Sequence, residues 1–142
     1  MAIPELPASL PQALVRAAID RPDRGVTIVQ SRENVDRKTF PEILQLVQGG
    51  AGRLAAAGVG PGVRVLVSLP TSWAWFECWL GALWLGALPV ALAPGSSVAD
   101  LRRLGELLET LDGPRVVAGS KTAEEARRLG LLPVADSVLA VE

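Results

Sequence analysis

Three glycine-bearing stretches, three carboxylates and one thiol are the parts of this sequence whose types and spacing could do chemistry. "GVGPG" (58–62) has the glycines of a phosphate loop. Such a loop follows a strand and opens a helix, so that helix-terminal N–H groups face the anion. The pattern here predicts the reverse order, helix then strand, and the stretch reads as a plain turn. "GALWLG" (81–86) has the outer glycine spacing of a nucleotide loop but no Lys-Ser/Thr after it, and it lies inside an apolar helix. "GSKTAEE" (119–125) does follow a predicted strand and open a predicted helix, with Lys121 and Thr122 at hand. Without an upstream glycine, ordinary helix capping is the leading reading there and small-anion or nucleotide binding the weaker one. Glu42, Glu77 and Asp100 have no spacing that pairs them for acid–base work. Cys78 is the single cysteine and sits in an apolar run. It forms no disulfide within the chain, fits no zinc-type spacing, and reads as a buried, inert thiol. The chain has no histidine, which removes Ser-His and Cys-His nucleophile pairs and His-based metal sites. No catalytic residue and no metal ligand is assigned, and cofactor-binding residues stay open.

The elements that would position these groups alternate along the chain. Ser9 is placed to cap a helix running to about Asp20, with Leu10, Leu14, Ala17 and Ala18 on one face. "VTIVQ" (26–30) and "VDRKTF" (35–40) predict two strands paired as a hairpin. Thr39, Pro41 and Glu42 form the start of a second helix, with Glu42 three residues after Thr39 as in a capping box. Its apolar face is Ile43, Leu44, Val47, Ala51, Leu54 and Ala55. Gly49, Gly50 and Gly52 weaken it by roughly 1 kcal/mol each relative to alanine. "VRVLVSL" (63–69) is near-continuously apolar, as in a central parallel strand covered on both faces. A helix over about 72–86, a strand over 88–93 and a helix over 98–111 follow. Ser97 and Asp100 cap the last of these, and Val98, Leu101, Leu104, Leu107, Leu108 and Leu111 share its face. "PRVVAGS" (114–120) predicts another buried strand. Thr122 with Glu125 would cap a short helix ending at Gly130, and "LLPVADSVLAVE" has room for one or two short strands. Strands alternating with helices predict an α/β domain, a mostly parallel sheet with helices on both faces. It would be a single domain over residues 1–142.

"WAWFECWLGALWLGALPVALAP" (73–94) is long enough for a membrane span, since about 20 residues cross a bilayer. Glu77 inside it, the interruption at Gly86, Ala87 and Pro89, and the lack of a flanking basic cluster oppose that reading. The run reads instead as a helix ending at Gly86 followed by a buried strand, with Gly81 and Gly86 letting helix and sheet approach. Trp75 and Trp79 fall near one helical face, and Trp73 and Trp84 point elsewhere. Two readings of the tryptophans stand side by side: packing within the domain, or a surface for another domain or a second copy of the chain.

Composition narrows the partners. Lys and Arg number 14 against 15 Asp and Glu, a net charge of −1. This gives no electrostatic reason to bind nucleic acid or anionic lipid. Hydrophobic residues make up 49% of the chain, too many for disorder. "MAIPELPASLPQ" has neither a basic region nor a long apolar stretch, so a signal peptide is not expected. The lone cysteine fits a reducing, cytoplasmic setting.

The order of segments is more specific than any one motif. Thr39-Phe40-Pro41-Glu42-Ile43 resembles the early Thr-Tyr-x-Glu-Leu of the AMP-forming adenylating enzymes: acyl-CoA synthetases, fatty acyl-AMP ligases and the adenylation domains of nonribosomal peptide synthetases. Gly58-Val59 and Gly62-Val63-Arg64-Val65 resemble that family's Gly-Val-x-x-Gly-Asp-Arg-Val turn. Gly86 through Pro94, "GALPVALAP", resembles its Gly-Ala-x-x-Val-Pro-Leu-x-Pro. The likeness spans roughly residues 9–120. Val63 stands where Asp is usual, Ala91 where Pro is common, and the Gly49-Gly50 pair is unusual. The resemblance implies the N-terminal subdomain of an enzyme that activates a carboxylate with ATP and magnesium. The family's Ser/Thr/Gly-rich loop ending in Pro-Lys-Gly, its later nucleotide and magnesium motifs and its C-terminal lysine have no counterpart in these residues. The resemblance therefore carries no catalytic residue onto any position. It implies a scaffold, and a wall of the acyl pocket, that binds no cofactor by itself and is inactive alone. Its partner would be the remainder of the enzyme or a complementary chain. An expressed piece, a truncated gene and a split enzyme all fit. The alternative is a non-catalytic interaction or dimerisation module using the Trp-rich helix.

Overall fold

A computed structural model describes residues 5–132 and 138–141. The elements run α1 (Leu10–Asp20), β1 (Gly25–Val29), β2 (Val35–Thr39), α2 (Phe40–Ala56), β3 (Arg64–Ser68), α3 (Trp73–Trp84), β4 (Leu88–Ala91), α4 (Val98–Thr110), β5 (Arg115–Gly119), α5 (Ser120–Arg128) and β6 (Val138–Val141). β6 lies in the tail where one or two strands are expected, and the part of that tail at 133–137 falls outside the described residues.

β1 and β2 pair antiparallel from Gly25↔Thr39 to Val29↔Val35, the expected hairpin. The other four strands form one parallel sheet in the order β4-β3-β5-β6. Side chains alternate across it. Val65, Val67 and Val117 pack toward α2 and α3 with Leu54, Cys78 and Ala82. Leu66, Val116 and Ala118 pack toward α4 and α5 with Leu101, Leu104, Ala123 and Ala126. Helices therefore cover both faces, which is why "VRVLVSL" shows no polar alternation. Val65, Leu66 and Val67 are wholly buried, and each such side chain contributes roughly 1.5–3 kcal/mol relative to leaving it exposed.

A third cluster, Leu14, Ile43 and Val47 with Val26, Phe40, Trp73, Leu80 and Trp84 around it, joins α1, the hairpin, α2 and α3. It settles the tryptophans. Trp75 and Trp79 stack at 5.1 Å between ring centroids and 11° between planes, packed on the sheet-side cluster. Trp73 and Trp84 pack on the α1–α2 side. All four are half-buried. A helix layered between a sheet and two other helices has apolar neighbours on opposite sides, so α3 places its aromatics all round within the domain. This packing favours the reading within the domain and lends no support to an outward Trp surface. Among the described residues, no helix is long and apolar enough to cross a membrane.

Two glycine expectations also change. Gly81 faces α2 rather than the sheet: a Cβ there would lie 3.0 Å from the Ala51 nitrogen. Gly50 on α2 meets α3 in return, where a Cβ would lie 2.6 Å from the Glu77 carbonyl oxygen. The two glycines bring the helix backbones together. Glu77, the one charge of the apolar run, thereby lies across α2 and forms an ion pair with Arg53, one turn beyond Gly50. Gly50 is thus a contact residue rather than a flaw in the helix. Gly49 and Gly52, by contrast, face open space. Ala55, Leu10 and Val98, expected on buried faces, are exposed.

Candidate functional site

In parallel sheets of this kind ligands gather outside the carboxyl ends of the strands, where successive connections leave in opposite directions. β3 connects through α3 to β4 on one side, and β5 through α5 to β6 on the other. That point therefore lies between β3 and β5, whose last paired residues are Ser68 and Ala118. The chain segments at this edge are residues 69–72, 92–97 and Gly119, each leading into a helix.

Each segment is fixed locally. Ser72 caps α3, its Oγ accepting from the Trp75 N–H at 3.2 Å and donating to the Pro70 carbonyl at 2.9 Å. Ser97 and Asp100 form the expected capping box on α4. Ser97 Oγ accepts from the Asp100 N–H at 3.1 Å, and Asp100 Oδ2 accepts from the Ser97 N–H at 3.2 Å and its hydroxyl at 2.6 Å. At α2 the Thr39 half of the expected box is present, Oγ1 accepting from the Glu42 N–H at 3.4 Å. α5 departs from expectation. It begins at Ser120 with Gly119 as its N-cap and no side-chain cap. Thr122 lies inside the helix, buried, and donates to the Gly95 carbonyl at 3.4 Å. The cap fails because β5 runs straight into the helix, which puts Thr122 one turn too late. Its hydroxyl instead ties α5 to the loop after β4. Lys121 is exposed beside it.

The hairpin is held to the same end of α3. Trp73 Nε1 donates to Asp36 Oδ2 at 2.6 Å, and the Lys38 ammonium lies 5.4 Å from the Trp73 ring centroid. A two-stranded hairpin is marginal by itself, so this contact and the apolar cluster beneath it fix the hairpin.

The candidate chemical groups do not converge. Glu42 is exposed at the start of α2, Glu77 is paired with Arg53 on the α2–α3 seam, and Asp100 is committed to its cap. Cys78 is buried, and burial pushes its thiol pKa up, offset in part by the Arg53 charge, so the thiolate is disfavoured. The described residues contain no group of three or more His, Cys, Asp or Glu placed to hold a metal ion. "GVGPG" forms a turn at the opposite, amino-end edge. It lines a cleft of about 460 Å³ with Arg64, Asp112 and Arg115. The weaker anion reading of 119–122 retains its strand-to-helix geometry without an ion-holding side chain in place.

Sequence reasoning passed over Ser68. It is 2% exposed at the carboxyl end of the central strand, and among the described residues its hydroxyl has no hydrogen-bond partner. The available signal was one polar residue closing an otherwise apolar strand. An apolar groove of about 390 Å³ was also unforeseen. It runs between α1, the hairpin, α2 and α3 and is lined by Leu10, Leu14, Val26, Phe40, Phe76 and Leu80.

One pH effect follows from the α4 cap. Hydrogen bonds from the Ser97 hydroxyl and N–H, the largest causes, hold the Asp100 carboxyl pKa below its ordinary value. A carboxylate depressed in the folded state contributes stability above its unfolded pKa, near 3.9, and loses it as pH falls through the folded value. Melting temperature measured from about pH 5 to pH 2 should therefore fall less steeply in Asp100→Asn than in the parent chain. Parallel curves would remove Asp100 from the acid response.

Comparison with known proteins places this arrangement. The family described as AMP-binding enzyme matches residues 14–128. A hybrid PKS-NRPS synthetase of Trichoderma harzianum is 28% identical over 133 residues, covering 91% of this chain and 3% of that protein. A salicylyl-CoA synthase / salicylate adenylyltransferase of a Streptomyces species is 29% identical over 115 residues, covering 75% of this chain and 21% of that one. Among solved structures, the adenylation domain of a keto acid-selecting NRPS module bound to keto acyl adenylate superposes with a TM-score of 0.76 at 22% identity. It covers 94% of this chain and 26% of that one. The chain thus spans about a fifth or less of the curated relatives it matches.

Proposed function

Because the chain belongs to the AMP-binding enzyme family, we propose that it forms the N-terminal scaffold of an AMP-forming ligase that activates a carboxylate. In that reaction a carboxylate oxygen attacks the α-phosphorus of ATP, the α–β phosphoanhydride bond breaks, and pyrophosphate leaves with its electron pair. The observation that carries the reading is the sheet edge between β3 and β5, where three strand-to-helix segments meet at the end that α/β proteins use for ligands. These residues build a wall of the acyl pocket rather than its reacting groups. Their carboxylates are tied to Arg53 and Ser97 or stand apart. The described residues offer no cluster that fits magnesium. The partner is the rest of the enzyme, in the same chain or a complementary one, which is consistent with the 3% and 21% spans of the relatives. The relatives' names include salicylate and keto acyl groups, so the substrate class stays at carboxylic acids. The lone buried Cys78 suits a reducing, cytoplasmic setting.

An ATP–pyrophosphate exchange assay with a panel of aliphatic, aromatic and keto acids tests this. The 142-residue chain alone should return only the buffer rate. Turnover above that rate would place a complete active site in these residues and overturn the scaffold reading.

A further inference from the structure

Ser68 and Thr122 are the two buried polar side chains among the described residues. They lie on one face of the sheet. Ser68 is in register with Ala118 across β3 and β5, and residues two apart along a strand share a face. Ser68 therefore points with Leu66 and Ala118 toward α4 and α5. Thr122 is in the first turn of α5, next to Ala123, which packs in that same cluster. The strand order brings the two hydroxyls together. β3 lies between β4 and β5. The Thr122 hydroxyl, from the segment after β5, donates to the Gly95 carbonyl in the segment after β4. That bond therefore spans the carboxyl end of β3, where Ser68 is the last residue. Both hydroxyls are short of partners. Ser68 has none among the described residues. The Thr122–Gly95 bond is 3.4 Å long, against about 2.7–2.8 Å for a typical O–H···O bond. A buried hydroxyl left unpaired is costly, and native structures generally satisfy it. Ser68 is 2% exposed, so no strand or loop from outside reaches it without displacing the fold. The neighbouring positions carry small residues, Ala118, Ala123 and Gly95. An occupant of this layer is therefore small, and it must both donate and accept.

We propose that one buried water molecule bridges Ser68 Oγ, Thr122 Oγ1 and the Gly95 carbonyl at the carboxyl end of β3. A buried water of this kind makes about three hydrogen bonds to groups otherwise unsatisfied. Here it accepts from the Ser68 hydroxyl and donates to Thr122 Oγ1 and to the Gly95 carbonyl, while Thr122 keeps its own bond to Gly95. The water ties the segments after β3, β4 and β5 to one another at the edge where ligands gather. The site rests on the fold alone, so it stands or falls separately from the ligase reading.

A double-mutant cycle in urea tests it. Ser68→Ala removes one partner of the water and should lower the folding equilibrium constant roughly tenfold. Thr122→Val keeps the volume, removes the other hydroxyl and should lower it by a similar factor. The double variant should lose little more than the larger single loss, because both changes break one network. A product of the two single losses, roughly a hundredfold, would mean independent hydroxyls and would overturn the proposal. So would a neutral or stabilising Ser68→Ala, the result expected where a buried hydroxyl bonds to nothing. A crystal structure of the parent chain that resolves ordered water needs no variant to fold. It should place one water within hydrogen-bond distance of all three oxygens. Ser68 Oγ bonded directly to a protein group, with no water beside it, would overturn the proposal as well.

Discussion

Gly50→Ala should lower the stability of the domain by about 2 kcal/mol, a fall of roughly 4–8 °C in Tm. The same change at Gly49 or Gly52 should raise stability by roughly 0.5–1 kcal/mol. All three glycines lie on α2, and helix propensity favours alanine at each. What separates them is the far side of the seam. At Gly50 a methyl group would stand 2.6 Å from the Glu77 carbonyl oxygen, a backbone atom that cannot move without shifting α3, whereas at Gly49 and Gly52 nothing lies within 4 Å. Relief would require parting α2 from α3, which would loosen the Arg53–Glu77 pair and the packing of Leu54 against Cys78 and Ala82. Thermal melts of the three single variants decide it. Equal signs at all three positions would mean that the seam has slack and that Gly50 is not a contact residue.

Leu66→Ala should cost about 3 kcal/mol, within the usual range for emptying a buried leucine site. Leu66 is wholly buried on the strand that pairs with both β4 and β5, and its side chain packs in the cluster with Leu101, Leu104 and Val116. Neighbours on two strands and a helix leave little room for collapse into the cavity. Leu88→Ala on the exposed edge strand should cost under about 1 kcal/mol. Urea titration should show the midpoint falling in both variants, far more in the first, with the slope unchanged. Similar losses would mean that burial in this sheet does not follow strand position.

The elements were legible because their signals are local. The Ser9 and Ser97 caps, the apolar run of β3 and the glycine stop at Gly86 each act within one or two turns of chain, and each appears where the sequence places it. The misreadings all depend on a partner distant in sequence. Gly50 looks like a weakened helix until Glu77 is opposite it. Thr122 looks like a cap until Gly95 is beside it. The tryptophans look too numerous for one helix until α3 is seen to have cover on both sides. The candidate site was less legible than the fold. Its position depends on strand order, which no periodicity encodes, and Ser68 becomes noticeable only when it lies at the junction of β3 and β5.

The strand order also dictates a sequence of events while the chain is being made. β3 is synthesised before either strand that will flank it, since β4 and β5 both lie downstream. α1, the hairpin and α2, which touch one another, are already complete by then. An emerging chain therefore presents "VRVLVSL" as an unpaired, β-prone segment with Arg64 as its one charge. β4 is the first partner to follow, and the strand is flanked on both sides only after β5 has cleared the ribosome. That interval is when this domain is most exposed to misassembly and most in need of a holding chaperone.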